Sequence, residues 1–115
     1  MPDSILDQTA LDNLFATIGR DKIFLAEMID TFLADSPNQI AAMHAAIQNE
    51  RADEVRRAAH SLKSNAANFG AMELARLCKE LEELGKRGEV SGAADRIAQI
   101  EAEYARAATA LQILR

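Results

Sequence analysis

Residues 52–69 read ADEVRRAAHSLKSNAANF, the stretch on which the interpretation of the rest of the chain depends. On a helical wheel with about 100° per residue, its apolar side chains share one face. These are Val55, Ala58, Ala59, Leu62, Ala66 and Phe69. His60 falls about 160° away from Leu62 on the same wheel. The stretch therefore predicts an amphipathic helix that buries one face in a core and points a histidine into solvent.

The outer face of this predicted helix places cationic and small residues around His60. Arg56 precedes the histidine by four residues and Lys63 follows it by three, so both lie about one turn away. Ser64 and Ala67, at i+4 and i+7, add little bulk to the same surface. The face is therefore open to a partner that carries an anion, although an exposed histidine on an amphipathic helix is more often simply solvated.

Composition narrows the class of protein. The 115 residues are 49% hydrophobic and 27% charged, with two prolines and five glycines, which is typical of a single globular, helix-rich domain over residues 1–115. No apolar run reaches the roughly 18 residues of a membrane span, and no signal peptide is recognisable. Cys78 is the single cysteine, so no internal disulfide can form. We expect a cytoplasmic protein that does not bind membranes.

The distribution of charge directs attention to the middle of the chain. The net charge of −5 argues against nonspecific binding of nucleic acid. Residues 1–50 carry two basic and eight acidic side chains, whereas residues 51–87 carry eight basic and six acidic ones. The middle segment is therefore where an anion or an acidic partner is expected to bind.

Helical periodicity continues along almost the entire chain and predicts six helices. They cover about residues 7–18, 21–35, 36–49, 52–69, 71–84 and 93–114. Ser36-Pro37 fits either a new helix with proline at its first position or a bend inside one long helix. The short connections between the last four helices favour an all-α fold, an antiparallel four-helix bundle with two additional N-terminal helices packed across one end.

Residues 58–71, AAHSLKSNAANFGA, resemble the signature of histidine phosphotransfer domains from bacterial multistep phosphorelays, the extended two-component systems. That signature reads roughly H-x-L-K-G-S-[SA]-x-x-x-G-A. The positions that match it are His60, Leu62, Lys63, Ala66, Gly70 and Ala71. Ser64 stands in place of the usual glycine and Asn65 in place of the usual serine. Both are small and polar, so we expect a slightly more crowded approach to the imidazole without loss of function.

The resemblance implies a phosphocarrier function for the chain. His60 would accept a phosphoryl group from the aspartyl phosphate of a receiver domain and pass it to an aspartate of another receiver domain. The partners would be response-regulator receiver domains and a hybrid sensor histidine kinase, and we expect the carrier to be a monomer. The metal ion for the transfer would come from the receiver, so the chain would need neither a cofactor nor a metal site.

The resemblance also implies roles for residues around the histidine. Lys63, Lys86 and Arg56 are candidates to neutralise the phosphate, because phosphoryl transfer depends mainly on positioning and electrostatic stabilisation. In an antiparallel hairpin about Gly70, residues 80–82 lie opposite His60. Glu82 matches the family position, usually Gln or Glu, that hydrogen-bonds the other imidazole nitrogen. A carboxylate there would fix the tautomer of the ring.

A receiver is expected to dock on the first two helices and on the outer face of the histidine helix. In the resembling family the docking surface is a small apolar patch ringed by polar residues. Ser64 and Ala67 are the candidates beside His60. The apolar candidates in the first two helices are Leu11, Leu14, Phe24 and Met28, and the sequence does not separate docking residues from core residues among them.

Two rival functions differ in class from a phosphocarrier. The first is an enzyme, either a histidine kinase or a phosphohistidine phosphatase, but the chain has no glycine-rich phosphate loop and is too short for a nucleotide-binding domain. The second is a helical adaptor in which His60 is incidental, as we expect for His44, which alanines surround. A phosphorylated receiver would label the carrier and would not label the adaptor. Whether the domain is free-standing or part of a hybrid kinase stays open.

Overall fold

Five helices make up the part of the chain that the computed structural model describes, residues 5–115. They are α1 (Gln8–Thr17), α2 (Lys22–Gln48), α3 (Ala52–Asn68), α4 (Met72–Lys86) and α5 (Ala93–Leu114). Each of α2, α3 and α4 packs against the next helix, and α5 closes the ring by packing against α2. The all-α class and the antiparallel four-helix bundle are thus confirmed. Residues 1–4 of the predicted domain lie outside the described residues.

The core of the bundle is an apolar stripe contributed by each of its four helices. Its fully buried members include Met43 of α2, Leu62 of α3, Leu81 of α4 and Ile100 of α5. Burying a side chain of this size stabilises the fold by about 1.5–3 kcal/mol. The outward sides of the helices are largely polar, and within residues 5–115 no helix has both the length and the apolar character of a membrane span.

α2 (Lys22–Gln48) is one helix where the periodicity predicted helices over residues 21–35 and 36–49, so the second of the two alternatives at Ser36-Pro37 is the one observed. A proline inside a helix destabilises it by about 3 kcal/mol, because the ring lacks an N–H donor and crowds the preceding turn. The buried side of α2 nevertheless continues through this point, from Phe32 and Ser36 to Ile40. Packing on both sides of Pro37 therefore keeps the two halves of α2 in one continuous helix. The additional N-terminal pair consists of α1 and the first half of α2.

The turn between α3 and α4 holds α1 across the end of the bundle. The backbone N–H of Asp7 donates to the carbonyl oxygen of Gly70 at 2.7 Å, and the Asp7 carboxylate caps α1 by accepting from the N–H of Ala10 at 2.9 Å. Gly70 has φ +77°, a conformation that other residues rarely adopt. A Cβ at Gly70 would lie 2.7 Å from the carbonyl oxygen of Asp7. The missing side chain therefore allows α1 to contact the α3–α4 turn.

Substitution of Gly70 by alanine is expected to destabilise the protein by about 1–3 kcal/mol or more, because the added Cβ combines backbone strain with a clash against Asp7. Gly88→Ala is the matched control, since Gly88 has φ +73° but open space around the site of its Cβ. Urea unfolding of both variants measures the difference. Equal losses in the two variants would show that the contact with Asp7 contributes nothing to stability.

Candidate functional site

The α3 helix presents His60 on its outer surface, as the wheel predicts. Val55, Ala59, Leu62 and Ala66 are buried along its inner face. The His60 side chain is 57% exposed. Because the buried residues fix the rotation of α3 against the core, the orientation of the histidine follows directly from the amphipathic pattern.

A buried carboxylate on α4 contacts the His60 ring from the side. Glu82 Oε2 lies 2.8 Å from His60 Nδ1, and the Glu82 side chain is only 4% exposed. The expected position of Glu82 opposite His60 in the α3–α4 hairpin is therefore the one observed. An ionisable group so buried requires partners for its charge, and the imidazole is one of them.

Lys63 is the second partner of the same carboxylate. Its Nζ lies 2.6 Å from Glu82 Oε1, and its side chain is 28% exposed. Burial raises the pKa of Glu82, but the hydrogen bonds and charges of Lys63 and His60 outweigh it and leave the pKa below its ordinary value. Glu82 is therefore a carboxylate at neutral pH, with each oxygen hydrogen-bonded to a different residue of α3.

The charge on Glu82 determines which nitrogen of His60 carries the proton. An ionised carboxylate can only accept hydrogen bonds, so Nδ1 of the neutral ring is the protonated donor at 2.8 Å. Nε2 then keeps its lone pair, and the outward-facing ring presents it to solvent. The arrangement orients the ring and makes Nε2 the nucleophilic nitrogen of its neutral form, and a positive charge that develops on the ring during the reaction is stabilised by the carboxylate at Nδ1.

The other predicted cations lie near this cluster without joining it. Arg56 is half-buried on α3, one turn before His60, and Lys86 is exposed in the last turn of α4, one turn after Glu82. Within residues 5–115, neither side chain forms an ion pair with a carboxylate. The structure thus joins His60 and Lys63 through their shared partner Glu82 and leaves Arg56 and Lys86 at the edge of this cluster.

The predicted docking residues fall into two groups. Ser64 is exposed and Ala67 half-exposed on α3, whereas Leu14 and Met28 are half-buried and pack against the core. Of the other apolar candidates, Leu11 is a core residue and Phe24 is exposed, with an exposed fraction of 47%. A groove of about 430 Å³ lies between α2 and α3, and Phe24 and Met28 line it together with polar residues. Its lining is Phe24, Glu27, Met28, Thr31, Phe32, Asp35, Asn65, Asn68 and Phe69.

Sequence reasoning missed the polar side of this groove. Glu27, Thr31 and Asp35 follow one another at steps of four residues on α2, and Asn65 and Asn68 lie three apart on α3. Both spacings place side chains on one helix face. The periodicity therefore carried a signal, but only the packing of α2 on α3 shows that the two faces meet.

His44, the second histidine, lies on a different surface from His60. Its Nε2 is 3.3 Å from Glu101 Oε2 of α5, and both side chains are about half exposed. A surface pair of this kind contributes little to stability. Within residues 5–115, no group of three or more histidine, cysteine, aspartate or glutamate side chains is arranged to hold a metal ion.

Comparisons with known proteins agree with this fold and site. Residues 27–110 match the profile of the Hpt domain family. Phosphorelay protein LuxU of Vibrio harveyi is 29% identical to the chain over 91 residues, which are 79% of this chain and 75% of LuxU. The crystal structure of histidine-containing phosphotransfer protein B (HptB) from Pseudomonas aeruginosa PAO1 is similar with a TM-score of 0.86 and 35% sequence identity, covering 96% of this chain and 93% of that one.

The chain therefore belongs to the Hpt domain family, and it is a histidine-containing phosphotransfer carrier of the kind that acts in phosphorelays. The resemblance inferred from residues 58–71 is confirmed at the level of family, fold and general function. The roles of individual residues in the transfer stay predictions.

The lowered pKa of Glu82 predicts a pH-dependent contribution to stability. A carboxylate whose pKa is lower in the folded state stabilises the protein above its unfolded pKa of about 4.3, and this stabilisation is lost as the pH falls through the lowered folded value. We therefore expect the free energy of unfolding of the wild type to fall between about pH 5 and about pH 3 more steeply than that of Glu82→Gln.

Urea unfolding at a series of pH values measures this difference. Glu73→Gln is the control, because the pKa of Glu73 is also lowered, chiefly by its hydrogen bond from Arg76, but the pair is exposed and contributes little. A constant difference between wild type and Glu82→Gln over the acidic range would contradict the prediction.

Proposed function

We propose that His60 is the phosphoacceptor of this carrier. Its Nε2 attacks the phosphorus of a receiver aspartyl phosphate, the P–N bond forms, and the P–O bond breaks so that the aspartate leaves as a carboxylate. Reversal of the same step on a second receiver passes the phosphoryl group on. The observation that carries the proposal is the 2.8 Å contact of Nδ1 with buried Glu82, which leaves Nε2 unprotonated and facing outward.

In this proposal the cations around His60 neutralise the transferred phosphoryl group. Lys63 offers three N–H donors, so its ammonium can keep one bond to Glu82 and direct another at a phosphate oxygen. Lys86 and Arg56 contribute longer-range positive potential from the edge of the cluster. The metal ion that assists the transfer comes from the receiver domain, and the carrier itself contributes neither a metal nor a cofactor.

The proposed partners are the receiver domains of response regulators and a hybrid sensor histidine kinase. LuxU is described as a phosphorelay protein and HptB as a histidine-containing phosphotransfer protein, and both likenesses extend over most of the chain. We propose a monomeric, cytoplasmic carrier that does not use ATP and does not bind nucleic acid. Its net charge of −5 supports the last point.

The proposed docking surface is the α2–α3 face beside His60. The exposed hydroxyl of Ser64 and the small side chain of Ala67 leave room above α3, and the groove next to them offers apolar contact from Phe24 and Met28. Leu14, half-buried on α1 and packed against the core, is the further apolar candidate for this docking surface. Partly apolar contact with a polar border is typical of transient protein interfaces.

Replacement of His60 by glutamine is expected to abolish acid-labile phosphorylation and to leave the helical fold intact, because the side chain is mostly exposed. Incubation with a phosphorylated receiver domain, followed by detection of the label, measures the first effect, and circular dichroism measures the second. His44→Gln is the matched control and should be labelled like the wild type. Label retained by His60→Gln and lost by His44→Gln would show that His44, and not His60, is the phosphoacceptor.

Bulk at position 64 is expected to matter more than polarity. Ser64→Gly should transfer at least as fast as the wild type, whereas Ser64→Leu should block transfer by excluding the receiver, since leucine is a good helix former and should preserve α3. Glycine destabilises a helix by about 1 kcal/mol, so rates are compared where both variants are folded. Ala98→Leu, on the exposed side of α5, controls for surface bulk. Equal rates for glycine, serine and leucine at position 64 would show that the receiver does not pass over this turn.

A further inference from the structure

Gly85 lies inside α4, where its presence is not explained by backbone conformation. The helix continues through it to Lys86, and unlike Gly70 or Gly88 it does not have a positive φ. Glycine in a helix is less stable than alanine by about 1 kcal/mol. Gly85 is also buried. The requirement for glycine at this position therefore comes from packing.

The packing partner of Gly85 is the backbone of α3. A Cβ at Gly85 would lie 2.8 Å from the carbonyl oxygen of Ala52, 2.8 Å from the amide nitrogen of Arg56 and 2.8 Å from the Arg56 Cβ. Ordinary van der Waals contact begins at 3.4 Å, and the helix backbone cannot rotate out of the way as a side chain can. At this level of the bundle, α3 and α4 are thus in direct contact through their backbones.

This backbone contact lies one turn from the His60–Glu82 hydrogen bond. Arg56 precedes His60 by four residues on α3, and Gly85 follows Glu82 by three residues on the antiparallel α4. Residues at these spacings occupy the same face of a helix. The Arg56–Gly85 contact and the His60–Glu82 hydrogen bond are therefore successive layers of one interface.

We propose that Gly85 is a positioning residue of the phosphotransfer site: its missing side chain lets α4 approach α3 closely enough for Glu82 to reach both His60 Nδ1 and Lys63 Nζ. The inference rests on the proposed role of His60 and adds the residue that sets the distance between α3 and α4. A methyl group at position 85 forces the helices apart by roughly half an ångström or more at that layer. N–H···O hydrogen bonds are made at about 2.7–3.2 Å, so the 2.8 Å contact of Glu82 with His60 has little room for such a displacement.

The test measures two properties of Gly85→Ala. A residue that only stabilises the fold would not change both of them. The first is the ¹⁵N spectrum of the His60 ring, which reports whether Nδ1 carries the proton. The second is the rate of phosphoryl transfer from a phosphorylated receiver domain. Ala107→Gly, at a buried position of α5, a helix that contributes no residue to the His60–Glu82–Lys63 cluster, is the control for loss of stability without a change at the site.

Gly85→Ala is expected to remain helical, to lose the preference for the Nδ1-protonated ring and to slow transfer about tenfold or more, as expected when a hydrogen bond to a charged group no longer orients the reacting ring. Ala107→Gly should keep the ring signature and the rate of the wild type. In a Glu82→Ala background, Gly85→Ala should have no further effect on the rate, because the residue acts through Glu82.

Glu82→Asp tests the same spacing without altering the helix backbone, and it keeps the proposal falsifiable if Gly85→Ala does not fold. A carboxylate shorter by one methylene should fail to reach His60 and reproduce both effects. A wild-type ring signature and rate in Gly85→Ala or in Glu82→Asp, or an undiminished effect of Gly85→Ala in the Glu82→Ala background, would overturn the proposal. Labelling of His60→Gln would instead overturn the proposed function, so the two failures are distinguishable.

Discussion

A buried carboxylate shared between two residues of one helix is the interaction on which the site depends. Glu82 is almost completely inaccessible, and a buried charge is strongly unfavourable unless it is paired and hydrogen-bonded. Both of its partners, Lys63 and His60, come from α3. A shift of α4 by one residue would move the carboxylate by about 1.5 Å and rotate it by about 100°. The pair of bonds therefore constrains the register of α3 and α4 as well as their spacing.

The α3–α4 interface contains two nucleophilic side chains that differ in solvent exposure, Cys78 and His60. Cys78 lies one turn before Glu82 on α4 and is fully buried. Burial raises the pKa of its thiol to about 12, against the opposing effect of Lys63, so the thiol stays protonated at neutral pH and is unreactive. His60 lies on the outer side of the interface, where its side chain is 57% exposed. The fold thus buries the sulfur and presents the nitrogen.

The remaining helices support the α3–α4 interface on its core side and at the turn between α3 and α4. α2 and α5 complete the core against which the inner faces of α3 and α4 are packed. α1 is tied to the α3–α4 turn by the Asp7–Gly70 hydrogen bond, which lies at the end of α3 that follows His60. Acidic residues of α2, among them Glu27 and Asp35, line the groove on the other side of α3. At the C-terminal half of α3, the exposed surface is therefore bordered by Lys63 toward α4 and by the carboxylates of the groove toward α2.

The amino-acid sequence by itself determined the helical class, the outward direction of His60 and the position of Glu82 opposite it. These follow from local periodicity and from a short turn at Gly70, both of which depend only on residues near one another in the chain. The continuity of α2 through Pro37, the bond between Lys63 and Glu82 and the backbone contact at Gly85 were decided by the tertiary structure alone. Each depends on the distance between helices, and that distance results from the packing of the whole core, which no single stretch of sequence specifies.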